Sequence, residues 1–489
     1  MRNILLLCVL AMCVLSCNKV SIGEKITQDP FASELSYVTK SSDWFYQLSY
    51  EEVESFLSAA YQEDLQSLVP IYSEGGSLYC YIANYPEQSL VVASDRRMQP
   101  VLAIVDDSSF QEKDLHSEQF SEWTAMLIEE YELLQTMPEY DNEYSEFWRS
   151  FLKKRVIYLT KEQYEALGIE TKSQEPGMHY VWVKYATGQR ALLNTVEHHN
   201  IPHLIQTNWS PFYPWDASAP THPTITSQHL SQGEMPVAVA QIIYYNHYKS
   251  GVPSFFFSNS FSYSYETDSV ATWATAAVYG LKEDNSNKWD QMPKNSQEAM
   301  SNVQGRQYVS ELIMRIGSKM NMKYYITPQE FSSTDSSPLP AFNQFDLQGT
   351  SGEYVMSTVS NNIISQKPVY MKRNNSAWVV DGYKDVTYTY SVEYMWIQQE
   401  NPDLNLWEYE DEIDTGSSGE EHYNGELVYE NEIVRQRYFR INWCGGSNNS
   451  SLVTIGSSGA WSVDSEHASN GATIVYNIIP STPLNPIEL

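Results

Sequence analysis

Nucleophilic catalysis needs a nucleophile and a base beside it. The stretch SQGEMPVAVAQIIYYNHY, Ser231 to Tyr248, has the form of an element that presents such a nucleophile: a polar loop with Gly233, then an apolar run opening a helix. The residue at the head of that helix is Glu234. Carboxylates serve as nucleophiles in glycosyl and phosphoryl transfer. At a helix N-terminus a carboxylate is favourable by about 0.3–1 kcal/mol. Pro236 in the first turn needs no helical partner for its nitrogen. The helix is therefore expected to form without a nucleophile, with Val237, Ala240 and Tyr244 toward the core.

The other reactive residues are few. There are five cysteines and ten histidines. Cys8 and Cys13 lie in the leader, where Met1-Arg2-Asn3 precedes an apolar run from Ile4 to Leu15 that is too short to span a membrane. Val14-Leu15-Ser16-Cys17 resembles a bacterial lipobox, with Ser16 before the cut and Cys17 as the lipidated residue. Residues 1–16 then read as a signal peptide and 17–34 as a polar tether, which predicts a cell-envelope lipoprotein on the outer-membrane or periplasmic face, held to the membrane through its lipid alone. Only Cys80 and Cys444 remain beyond the anchor, too few for a disulfide framework and without metal spacing, so no cofactor or metal is expected. The net charge of −31 argues against nucleic acid and against docking on anionic lipid.

At 489 residues the chain is long for one core, and an α+β organisation in more than one domain is expected. Ser49-Tyr50-Glu51-Glu52 has the form of a capping box, followed by Val53, Phe56 and Leu57 at helical spacing. Ser77 to Asp107 reads as three strands, including Ser89 to Ala93 and Val101 to Val105. Phe120, Trp123, Leu127, Tyr131 and Leu134 share one helical face. Residues 35–135 thus form a small α+β module. Residues 136–194 read as a connector with a helix at Glu146 to Arg155 and a strand at Tyr180 to Val183. Residues 195–489 form the larger domain, with a helix from Val309 to Met320 and strands at Val369 to Met371, Ala377 to Val380, Tyr438 to Asn442 and Ala472 to Tyr476. Between Asp403 and Glu432 lie eleven Asp or Glu and no Lys or Arg, the centre of an acidic surface insertion at about 388–433.

Four segments, IPHLIQTNWSPFYPWD, GEMPVAVAQIIYYNHY, KPVYMKRNNSAWVVDGY and YFRINWCGGSNN, resemble in order and content the streptopain-like cysteine peptidases, a branch of the papain-like fold. NKWDQMP and ELIMRIGSKMNMKYY look like segments of the same family. The 35–135 module, notably SLVVASDRRMQPVLAIVDD, resembles that family's inhibitory prodomain of the Spi type. The resemblance implies an inhibitor-like module followed by a papain-like domain whose chemistry uses a Cys thiolate, a His, an oxyanion Gln and an orienting Asn.

At the matching positions the reactive residues differ. Where the family reads roughly Gly-Cys-Val-Ala-Thr-Ala-Met-Ala-Gln, residues 233–241 read Gly-Glu-Met-Pro-Val-Ala-Val-Ala-Gln, so Glu234 stands for the Cys. Ser376 stands for the His before Ala377-Trp378-Val379-Val380-Asp381-Gly382-Tyr383. Thr207 and Trp209 keep their places, but Pro211 stands for the Gln. Asn442 and Trp443 are retained, and Cys444 takes a place that is usually Gly. The resemblance therefore implies an inactive pseudopeptidase that binds a protein or peptide, with a cysteine peptidase as one such partner if the module inhibits in trans. The alternative is a working cysteine peptidase with its nucleophile relocated to Cys444, which requires a histidine beside that thiol. His229, five residues before Glu234, is the nearest in sequence to the old nucleophile position.

Overall fold

The computed structural model describes residues 46–61, 63–117, 119–138, 140–152, 155–157, 179–250, 256–257, 260–266, 271–279, 282–283, 286–327, 332–401, 427–445, 451–456, 458 and 471–481. Met1–Gln47 and Leu48–Leu489 are separate units, and the second holds everything below. The leader, Cys17 and the tether at 17–34 lie outside the described residues.

The capping box forms as read. Ser49 Oγ accepts the Glu52 N–H at 3.3 Å, and Glu52 Oε2 accepts the Ser49 N–H at 2.9 Å. The helix it opens, Tyr50–Ala60, buries Val53, Phe56 and Leu57. The expected strands are Leu78–Asn84, Ser89–Ala93 and Val101–Val105. A fourth, Ser67–Tyr72, pairs with the first of them. Its pattern is interrupted by Pro70, and Val69 and Tyr72 are exposed, which is what an outer strand tolerates. The Ser121–Gln135 helix buries Trp123, Leu127, Tyr131 and Leu134, as its periodicity requires.

Among the described residues twelve strands form one sheet. From one edge it runs through Ser67–Tyr72, Leu78–Asn84, Ser89–Ala93 and Val101–Val105 into Leu452–Val453, Leu427–Asn442, Ser376–Asn401, Val369–Arg373, Thr473–Pro480 and Leu347–Glu353. His179–Ile201 pairs along Ser376–Asn401 and takes Arg155–Ile157 on its other side. The mixed α+β class is what the sequence led one to expect. The stretch read as a connector contributes two fixed elements. The Glu143–Leu152 helix sets Trp148 5.1 Å from Phe56, and His179–Ile201 is a long strand. The ends of the acidic segment, read at about 388–433, also lie inside strands, with Thr389 opposite Ile433 and Met395 opposite Leu427. Residues 402–426 lie outside the described residues.

The helix expected at Val309 to Met320 starts earlier, as Val303–Lys319, because Asn302 caps it through the Gly305 N–H at 2.8 Å. It packs with the Glu234–Ser250 helix in one core around Val237, Ile243, Leu312 and Ile316. A second core joins Trp123, Leu127 and Phe120 to Trp378, Phe439 and Trp443. A third joins Phe56 and Trp148 to Tyr390 and Tyr438. No helix among the described residues is long and apolar enough to cross a membrane.

Candidate functional site

The head of the Glu234–Ser250 helix is set by Gly233, whose φ is +80°. A Cβ there would lie 2.5 Å from the Ser332 carbonyl oxygen, so conformation and space both call for glycine. The helix behind it is buried on several sides, which includes Val237, Ala240 and Tyr244. Glu234 is half-buried, and its Oε2 accepts the Ala377 N–H at 3.2 Å. Ser376 opens the strand that follows a two-residue turn, in which Asn374 holds a φ of 51°. Positions 234 and 376 are thus neighbours in the fold, as a nucleophile and its base would be. Pro211 is buried nearby along the chain path, its carbonyl accepting the Gln232 N–H at 2.9 Å. Proline supplies neither a backbone N–H nor a side-chain donor.

Behind these positions lies a buried polar network. Gln241 and Asn442 exchange amide hydrogen bonds at 3.1 Å each way. Thr207 Oγ1 donates to Gln241 Oε1 at 2.9 Å, and Asn442 Nδ2 donates to the Thr207 carbonyl at 2.8 Å. Asn442 Oδ1 also accepts the Cys444 N–H at 3.1 Å, while Gln241 Nε2 reaches Cys444 Sγ at 3.3 Å. The Asn that would orient a catalytic imidazole is thus fully engaged with Gln241, Thr207 and Cys444. Gln241 was visible in sequence only as the last letter of the helix motif. Its place seven residues after Glu234 puts it on the same face two turns on.

Cys444 itself is fully buried, with a φ of 59°. Burial pushes its thiol well above the ordinary cysteine range, and the Glu234 carboxylate pushes the same way, as does Asp381. Reactive thiols are made by the opposite setting, an electropositive and partly exposed one. Tyr370 stands against the same pair. Its hydroxyl is raised by burial, Cys444 and Glu234, and its oxygen has no hydrogen-bond partner among the described residues. His229 Nδ1 is engaged with the Ala219 carbonyl at 2.9 Å. His203 Nδ1 bonds Asp381 Oδ1 at 2.8 Å, and Asp381 Oδ2 accepts the Ile205 N–H at 3.0 Å. Burial raises Asp381 despite the pull of His203. This pair ties the 203–205 segment to the strand beyond Ser376. Sequence reading passed over it, because a lone His and the Asp of a retained motif carry no mutual signal.

The hairpin that carries Ser376 is also clasped from the first half of the chain. Arg373 Nη1 bonds Glu122 Oε2 at 3.0 Å, its Nη2 pairs with Glu129, and Asn374 Nδ2 reaches Glu122 at 3.2 Å. Trp443 packs against Trp378, ring centroids 6.0 Å apart, and against Phe120 at 5.4 Å. Among the described residues no group of three His, Cys, Asp or Glu is placed to hold a metal.

Residues 209–399 match the model of the peptidase C10 family. This C10 segment begins at the Trp209 of the oxyanion motif and contains Pro211, Glu234 and Ser376, while Asn442, Trp443 and Cys444 follow it. The streptopain-like resemblance therefore holds over that stretch, and the protein is cysteine-peptidase-like there. A search of curated proteins finds no match. Among solved structures, a fragment of Prevotella intermedia prointerpain A is 13% identical at a TM-score of 0.47, covering 85% of this chain and 99% of that one. The active wild-type interpain A cysteine protease of the same organism is 14% identical at a TM-score of 0.31, covering 57% and 95%.

Proposed function

We propose that the C10 segment is catalytically silent and that the protein works by holding a protein or peptide. One observation carries this reading. The side chain at the nucleophile position is the Glu234 carboxylate, and it is occupied in accepting the Ala377 N–H beside Ser376. Glu234 offers no thiolate, Ser376 is no imidazole, and Pro211 offers no oxyanion donor. What remains is a peptidase-like scaffold without acyl-transfer chemistry, and its contribution is recognition. On this reading the lipobox-like leader anchors it in the cell envelope through Cys17, and its partner is a protein or peptide.

The alternative, a nucleophile relocated to Cys444, has that residue's closeness to Asn442 in its favour. Its full burial and the two carboxylates acting on it oppose nucleophilic use. The test uses protein starting at Asn18, incubated with casein and with an activity-based cysteine-peptidase probe, beside a Cys444→Ala control. No turnover and no labelling in either is expected. Cleavage or labelling that vanishes in the control would replace this reading with the relocated enzyme.

A further inference from the structure

We infer that residues 48–152 are a permanent layer of the folded body and not a removable cap, so their apolar face is not offered to a separate peptidase. The inference goes beyond the catalytic reading and stands whichever way that reading falls.

Three observations carry it. First, the sheet does not stop at the seam. Ala103 and Ile104 of the first half pair with Val453 and Leu452, which pair in turn with Phe439 and Arg440. The strand holding Phe439 ends at Asn442, inside the buried network. Lifting off the first half would strip the strand partners of Leu452–Val453, the strand that flanks the one running into the network.

Second, the seam is a shared core. Trp123 is buried and donates through Nε1 to the Thr454 carbonyl at 2.8 Å. Phe120 packs against Trp443. On the other face Phe56, Phe147 and Phe151 surround Tyr390, with ring centroids 6.2, 5.9 and 5.4 Å away. Interfaces that resemble a core cut in half are the obligate kind, whereas partners that separate meet through more polar surfaces.

Third, buried and half-buried polar groups are hydrogen-bonded across the seam. Glu130 Oε1 accepts the Ser458 N–H at 2.7 Å, Asn142 Nδ2 and Tyr140 Oη donate to the Ser458 carbonyl at 2.9 and 2.7 Å, and Gln99 Oε1 accepts the Arg437 N–H at 2.8 Å. Separation would break each of these bonds. The Arg373 clasp adds charge-assisted bonds from Glu122 and Glu129 to the Ser376 hairpin. A module held in this way has no dissociated state in which to act on another molecule.

The experiment uses the full chain from Asn18 with a site-specific protease sequence inserted between residues 152 and 179. The nicked protein is run by gel filtration at 0.15 and 1 M NaCl and then titrated with urea, following tryptophan emission and far-UV circular dichroism. The expected result is co-elution at both salts and one cooperative transition that coincides in both signals. A fragment that leaves only as the remainder loses its fold gives the same conclusion. The inference is overturned if the two pieces separate while the larger keeps its native emission and dichroism.

Discussion

Cys444 offers a test that separates backbone strain from packing. Its φ of 59° lies in the left-handed region, where a residue with a Cβ is disfavoured by about 1–2 kcal/mol. Its side chain is completely buried. Cys444→Ala keeps the strain and loses the sulfur, at a cost of about 1 kcal/mol on the scale of one buried methylene. Cys444→Gly loses both side-chain atoms, about 2 kcal/mol, and recovers most or all of the strain. The Gly variant should therefore equal or exceed the Ala variant, with both within about 1 kcal/mol of wild type. Inside ordinary elements the order is reversed, with Gly below Ala by about 0.5–1 kcal/mol. Neither change orphans Gln241, whose Nε2 keeps Asn442 Oδ1 at 3.1 Å. Urea titrations of the three proteins, compared by midpoint at equal slope, supply the measurement. An Ala variant more stable than the Gly variant by about 1 kcal/mol would refute the strain reading.

Three further outcomes are expected. Burial lifts the Glu130 carboxyl above its ordinary 4.5, so its contribution to stability is full below that pH and is lost as pH rises through the lifted value. Glu130→Gln should thus be more stable than wild type at pH 7, with the gap closing below pH 4.5; a gap that is constant with pH would contradict this. Arg373→Ala should destabilise by about 1–3 kcal/mol, and by less at 1 M NaCl because Glu129 is half exposed. An effect indifferent to salt would show that the clasp is packing and not charge. Cys80 and Cys444 are both buried with thiols pushed up, so neither should react with a bulky disulfide reagent at pH 8 until urea unfolds the chain. Two thiols released without denaturant would rule out the burial described.

Much of the fold was legible because local signals agreed with their surroundings. The Ser49 box, the Ser89–Ala93 and Val101–Val105 strands and the Trp123 face each declare one structure from their own residues. What escaped depended on partners distant in sequence. His179–Ile201 was foreseen as a strand only at Tyr180–Val183, and its remaining length is a strand because Ser376–Asn401 pairs along it. The Tyr-Thr-Tyr alternation after Val386 was read as the edge of an acidic insertion, since neighbouring carboxylates mask a strand pattern. At the site, the positions 211, 234 and 376 were legible from motif order alone. Glu234's bond to Ala377, the Gln241–Asn442 exchange and the Arg373 clasp were not, because each joins residues at least 143 apart in sequence.

The same distances bear on how the chain reaches its shape. Trp123 meets Thr454 across 331 residues. During synthesis the outer edge of Val101–Val105 has no native strand to pair with until Leu452–Val453 has been made. Such long-range closure slows folding and leaves a strand edge open to other chains. A chain stopped before residue 452 would lack that closing strand altogether. Its first half would carry Trp123 without the Thr454 carbonyl that its Nε1 donates to, however complete its own sequence. The last tenth of the molecule therefore supplies the strand that closes the edge left by its beginning.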